Sequence, residues 1–156
     1  MLLRFEDGRP FAQGASKYGY RPVTELEKPP RIFVTVKIQG ISTEAVVDTG
    51  GVYLICNPEI ADLLDLDPAG ELGTDKVKIG RWGTVPGTLH RLCLEFLAEE
   101  GKGLKLQATT FVPRLQPNEL WNLPSIMGLM GCLHRIRFAV DPNTETFYFG
   151  AIDEED

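Results

Sequence analysis

Residues 31–51 read RIFVTVKIQGISTEAVVDTGG, and the reading of this stretch decides the rest. Ile32, Val34, Val36 and Ile38 alternate with Phe33, Thr35, Lys37 and Gln39, the period of a strand with one buried face. Gln39-Gly40 marks a turn, and a second apolar run, Ala45-Val46-Val47, leads directly into Asp48-Thr49-Gly50-Gly51. The expectation is a β-hairpin whose second strand delivers Asp48 into a glycine-rich loop. A carboxylate at the end of a buried strand is costly unless it is hydrogen-bonded. Thr49 and the amides of Gly50 and Gly51 are the local donors, and glycine lets backbone approach where a side chain would block it.

Outward from this hairpin the pattern stays mostly β. Residues 1–30 carry four prolines (Pro10, Pro22, Pro29, Pro30) with Gly8, Gly14 and Gly19 between them, and they read as an irregular N-terminal arm pinned by its aromatics. Asn57-Pro58-Glu59 is a helix start, with a side-chain cap, proline in the first turn and an acid beside it. Ile60, Leu63 and Leu64 then give one apolar stripe. A hairpin is expected over 76–97, its tip at Gly80-Arg81-Trp82-Gly83, and Leu104, Leu106 and Ala108 alternate toward Phe111. A proline-bearing loop precedes Ser125-Ile126-Met127-Gly128, a short helix-like stretch runs to Leu133, and a last hairpin turns through Asp141-Pro142-Asn143-Thr144. There is no internal repeat.

The bulk numbers narrow the function classes. With 156 residues, 43% of them apolar and 24% charged, the chain suits a single globular domain. A net charge of −6 disfavours nucleic acid and anionic membranes as partners, since both need surplus Lys and Arg. No apolar run spans a bilayer, and Arg4, Glu6 and Asp7 interrupt any signal-peptide core. Cys56, Cys93 and Cys132, odd in number and widely spaced, read as reduced thiols of a cytoplasmic protein. Cys132, His134 and His90 have no metal-binding spacing, so neither a metal nor another cofactor is expected. His90, near the end of the 76–91 hairpin, reads as a solvated strand residue.

Taken together, VTVKIQGISTEAVVDTGG, NPEIADLLDL and SIMGLMGCLHRIRFAVD resemble the retropepsin-like aspartic proteases over residues 31–150. The resemblance implies a single-lobe, closed β-barrel with one or two short helices, while the clustered acids make 151–156 read as an acidic tail. It implies an aspartic endopeptidase with Asp48 as catalytic residue and Thr49, Gly50 and Gly51 supporting its loop. It places Ile126, Met127 and Gly128 in a loop adjacent to the active site, with one strand threaded past the loop that holds the aspartate. By position Ile79, Gly80, Arg81, Trp82 and Gly83 become the flap over an extended peptide substrate. Aspartic proteases use two carboxylates that share a proton, and this chain has one Asp-Thr-Gly, so a homodimer with Asp48 from each copy is implied. Retroviral members often pair an acid shortly after this triplet with an Arg after the apolar-apolar-Gly element. Val52-Tyr53 and Leu129 stand here, so both halves of that pair are missing together. The alternative is a dimerising or peptide-binding module that keeps the fold without hydrolysis.

Overall fold

The computed structural model describes residues 2–152. The alternating run forms β3 (Pro30–Ile38), which returns as β4 (Ile41–Val47) with Ile38 opposite Ile41. Both turn residues, Gln39 and Gly40, have positive φ (49° and 84°). That is the conformation whose twist matches a two-residue hairpin. Val34, Val36 and Ile38 are buried on one face while Thr35 is exposed, as the period required.

Before this hairpin lie β1 (Gly14–Lys17) and β2 (Gly19–Pro22). After it come β5 (Leu54–Ile55), α1 (Pro58–Ala61), β6 (Thr74–Lys78), a 3₁₀ turn at Gly80–Trp82 and β7 (Thr84–Phe96). Then follow β8 (Glu100–Gly101), β9 (Leu104–Pro113), β10 (Ser125–Met127), a 3₁₀ turn at Leu133–Arg135, β11 (Ile136–Asp141) and β12 (Thr146–Ala151). The strands make two sheets, one ordered β11-β12-β1-β8 and the other β2-β3-β4-β10-β5-β9-β7-β6. In the larger sheet the far end of β7 also pairs with β3, Val36 opposite Phe96 and Ile38 opposite Leu94. This contact joins β3, β4, β10, β5, β9 and β7 in a closed ring of ladders, with β2 and β6 left as the outer strands of the sheet. Asn57 caps α1 by accepting from the Glu59 amide at 2.9 Å.

A phenylalanine group ties the two sheets together. Phe96 of β7 and Phe147 and Phe149 of β12 are fully buried, with ring centroids 5.4–6.4 Å apart. Truncating such a ring typically costs about 3–5 kcal/mol.

Four expectations need correction. Residues 1–30 are not an irregular arm throughout. Gly14 to Lys17 pair residue by residue with Phe149 to Thr146 of β12, and β2 pairs with β3. Strands of four residues are too short to display a period, and pairing with distant partners makes them. Ala151 belongs to β12 opposite Ile136, so the tail does not begin there, and Asp153 to Asp156 lie outside the described residues. Leu63 is 73% exposed because α1 ends before the stripe is complete, leaving Ile60 as its buried anchor. The helix-like stretch to Leu133 is only the short 3₁₀ turn at Leu133–Arg135.

Since β1 covers one edge of β12 and Tyr18 is buried beside it, deleting residues 1–18 should destabilise the whole fold. Lost ladder hydrogen bonds and lost apolar burial predict a cost on the order of 3 kcal/mol. Urea unfolding of full-length and shortened chains measures it, and unchanged midpoints would mean that the segment is a mere appendage.

Candidate functional site

Asp48 is the first residue beyond β4, and its position follows from how three strands meet. β10 runs parallel to β4, with Ile126 opposite Val46, and antiparallel to β5, with Ile126 opposite Ile55. The chain leaving β4 and entering β5 must therefore wrap around the end of β10. The Asp48 amide donates to the Met127 carbonyl at 2.9 Å, and the Leu129 amide donates to the Gly51 carbonyl at 2.9 Å. The Gly128 amide donates to the Tyr53 carbonyl at 2.7 Å, and the Tyr53 amide to the Met130 carbonyl at 2.8 Å. Residues 127–130 are thus stitched to both arms of the loop. Ile126 and Met127 are strand residues rather than the loop expected from sequence. A three-residue strand reads as a loop until its two neighbours are known.

The threading leaves no space at Gly128. A Cβ there would lie 2.7 Å from the Gly51 carbonyl carbon, the Tyr53 oxygen and the Val52 carbonyl carbon, all backbone atoms that cannot swing away.

The Asp48 side chain is half-buried, and the Gly50 amide donates to its Oδ1 at 3.2 Å. The Gly51 amide instead donates to the Asp48 main-chain oxygen at 3.0 Å, closing the turn. A Cβ on Gly51 would stand 3.1 Å from Asp48 Oδ2, so glycine keeps that side of the carboxylate open. Thr49 is exposed. One carboxylate so placed can accept or release a proton, but cannot be base and acid to one substrate at the same moment.

The β6–β7 hairpin stands beside this loop. Val77, Ile79 and Val85 are buried in a cluster with Ile55, Phe111 and Trp121, against which Val52, Tyr53, Trp82 and Ile126 pack. The hairpin and the Asp48 loop therefore share one apolar cluster. Gly80 and Gly83 bracket the tip at φ 44° and 69°, Arg81 contributes its backbone to the 3₁₀ turn, and Trp82 lies against Trp121 with centroids 5.5 Å apart.

Sequence reasoning missed Tyr53 in this role. Its backbone is left-handed at φ 63°, its ring stacks on Phe111 at 6.5 Å, and its hydroxyl donates to Asp75 Oδ2 of β6 at 2.6 Å. That hydrogen bond holds the Asp75 carboxyl below its ordinary range and pushes the Tyr53 phenol up. Two residues 22 positions apart, on different elements, carry no local signal for such a contact. Leu129 and Met130, 39% and 49% exposed, set an apolar rim next to Gly128.

The other reactive groups are accounted for by packing. His90 is 2% exposed, not solvated: it sits in the β7–β9 ladder opposite Thr110, and its Nε2 lies 2.8 Å from Thr88 Oγ1. Burial holds its imidazole below the usual range against the opposing carboxylates of Glu71 and Asp67. Cys56 and Cys132 are buried thiols pushed up to about 12, the opposite of an activated nucleophile. Among the described residues no three His, Cys, Asp or Glu side chains gather as metal ligands, and no helix is long and apolar enough to cross a membrane.

No protein-family model matches the chain, and no curated protein matches it. Solved structures do. The retroviral protease-like domain of Ddi1 from Leishmania major aligns over 81% of this chain and 97% of its own, at 17% identity and a TM-score of 0.51. A retropepsin-like aspartic protease from Rickettsia conorii aligns over 89% of this chain and 97% of its own, at 15% identity and a TM-score of 0.49. The chain has the retropepsin-like fold.

The threading predicts that Gly128→Ala is among the most damaging single changes available to the chain. Overpacking against backbone on three sides should cost on the order of 3 kcal/mol or prevent folding. A urea titration beside the exposed control Ser42→Ala reads this, and equal midpoints would refute the threaded geometry.

Proposed function

We propose that the chain is an aspartic endopeptidase that works as a homodimer, each copy supplying Asp48 to one shared site. The observation that carries this reading is the half-site itself. A single half-buried carboxylate is held by the Gly50 amide at the rim of a threaded loop, and the β6–β7 hairpin shares its apolar cluster. A second carboxylate has to come from somewhere, and a two-fold axis beside Asp48 supplies it.

In the proposed mechanism two Asp48 carboxylates share one proton, because like charges at short range cannot both remain ionised. The ionised member takes a proton from a water, whose oxygen attacks the scissile carbonyl carbon. The protonated member gives its proton to the carbonyl oxygen. The resulting diol collapses, the C–N bond breaks and the nitrogen leaves with a proton returned by a carboxyl. Thr49, Gly50 and Gly51 hold the loop through these steps, and Gly128 with its neighbours Ile126 and Met127 fixes the strand behind it. Ile79 to Gly83 serve as the flap, closing over an extended peptide.

Dimer contacts are assigned to the rim around the site: exposed Thr49, Leu129 and Met130. In the sheet of the chain ends, β12 is bracketed by β11 and β1 of its own chain, so the last strand offers a partner no free edge. The three cysteines are free thiols, which suits a cytoplasmic setting.

Substituting Asp48→Asn keeps the shape and removes the ionisable group, so hydrolysis of a peptide pool should vanish. Mixing wild-type chains with a tenfold excess of Asp48→Asn should cut the activity per wild-type chain to roughly a tenth, as expected of random two-fold pairing. Cleavage at the wild-type rate by Asp48→Asn, or no suppression on mixing, would sink the proposal.

A further inference from the structure

Tyr53 carries a backbone conformation that is uncommon outside glycine and unfavourable for a bulky side chain. Such a conformation persists where surrounding contacts overdetermine it. Here the amide and carbonyl of Tyr53 are tied to Met130 and Gly128, its ring lies on Phe111, and its hydroxyl reaches Asp75. One residue therefore touches the threaded strand, the core and the hairpin at once.

The hairpin needs an anchor of this kind. β6 is the last strand of the larger sheet and among the described residues pairs only with β7, so no ladder there fixes it to the Asp48 loop. The tip is held differently, by Trp82 against Trp121, and is flanked by Gly80 and Gly83. A ring contact of this type contributes about 0.5–1.5 kcal/mol beyond burial, and among the described residues no strand ladder ties the tip to Trp121.

We infer that the Tyr53–Asp75 hydrogen bond is a latch that pins the base of the β6–β7 hairpin to the Asp48 loop. The base becomes the pivot about which the tip lifts from Trp121 to admit a peptide. Tyr53 is on this account a positioning residue: it touches no reacting atom, and sets how firmly a bound peptide is covered. The role in peptide binding rests on the protease reading above. The latch itself does not.

The test uses the full chain carrying Asp48→Asn, so that exchange is measured without any hydrolysis. Amide hydrogen exchange is followed at residues 76–83, with residues 92–96 of the β7–β9 ladder as internal reference. Tyr53→Phe and Asp75→Ala should each speed exchange in 76–83 about tenfold, and the double variant should add nothing further, as for two partners in one bond. Asp75→Asn keeps an oxygen that can accept from the phenol and should stay within about twofold of the parent. Unchanged rates in 76–83, additive effects, or an equal acceleration in 92–96 would overturn the latch.

With Asp48 intact, Tyr53→Phe and Asp75→Ala should raise KM for a peptide about tenfold and leave kcat within about twofold, the signature of lost uniform binding. A fall in kcat at constant KM would contradict a positioning role. If the unmodified chain hydrolyses nothing, the protease reading fails, and the exchange pattern alone decides the latch.

Discussion

Four main-chain hydrogen bonds, by which residues 127–130 lock to Asp48, Gly51 and Tyr53, are the constraint on which the rest of the structure depends. They force the chain between β4 and β5 to circle the end of β10, and so place the Asp48 carboxylate at the rim of a rigid loop. They also explain why glycine stands at 128, where any side chain would enter the backbone of residues 51–53. An aspartate on a free turn would be a mobile, solvated acid. Held in this way, it is oriented by main-chain contacts, with the Gly50 amide donating to its Oδ1.

Everything around the threaded loop serves to keep it in place. The β3–β7 pairing closes the strand ring, so that β4, β10 and β5 are interior strands whose register is fixed on both sides. The Phe96, Phe147 and Phe149 group fastens that ring to the second sheet, and β1 secures the second sheet by covering β12. On the opposite side the cluster around Phe111 binds the β6–β7 hairpin to the loop. Stability and site geometry thus depend on the same contacts, which is why damage at Gly128 is expected in both.

How much of this was legible in the sequence depended on distance along the chain. β3 and β4 were readable because a buried face imposes period 2 on adjacent residues, and Asn57-Pro58 because a cap is a local hydrogen bond. The hairpin tip at 80–83 announced itself through glycines that adopt positive φ. β1 and β2 were not readable; Gly14 to Lys17, for instance, become a strand through β12 and β8, both far along the chain. Ile126 and Met127 looked like loop for the same reason, being three residues of strand defined by partners on either side. Asp48 was singled out by its triplet and by the apolar run before it. The contact between Tyr53 and Asp75, and the burial of His90, arise from the packing of distant segments and leave no local pattern.

The central claim is that two copies of Asp48 make one site, and stoichiometry tests it most directly. A peptide inhibitor with a non-cleavable hydroxyl in place of the scissile carbonyl mimics the diol intermediate and engages both carboxylates of an aspartic dyad. Calorimetric titration of the chain with such a peptide, with its mass followed by sedimentation, should give one inhibitor bound per two chains, sedimenting as a dimer, with binding abolished by Asp48→Asn. One inhibitor bound per chain on a monomer, or equal binding to the Asp48→Asn protein, would contradict the account.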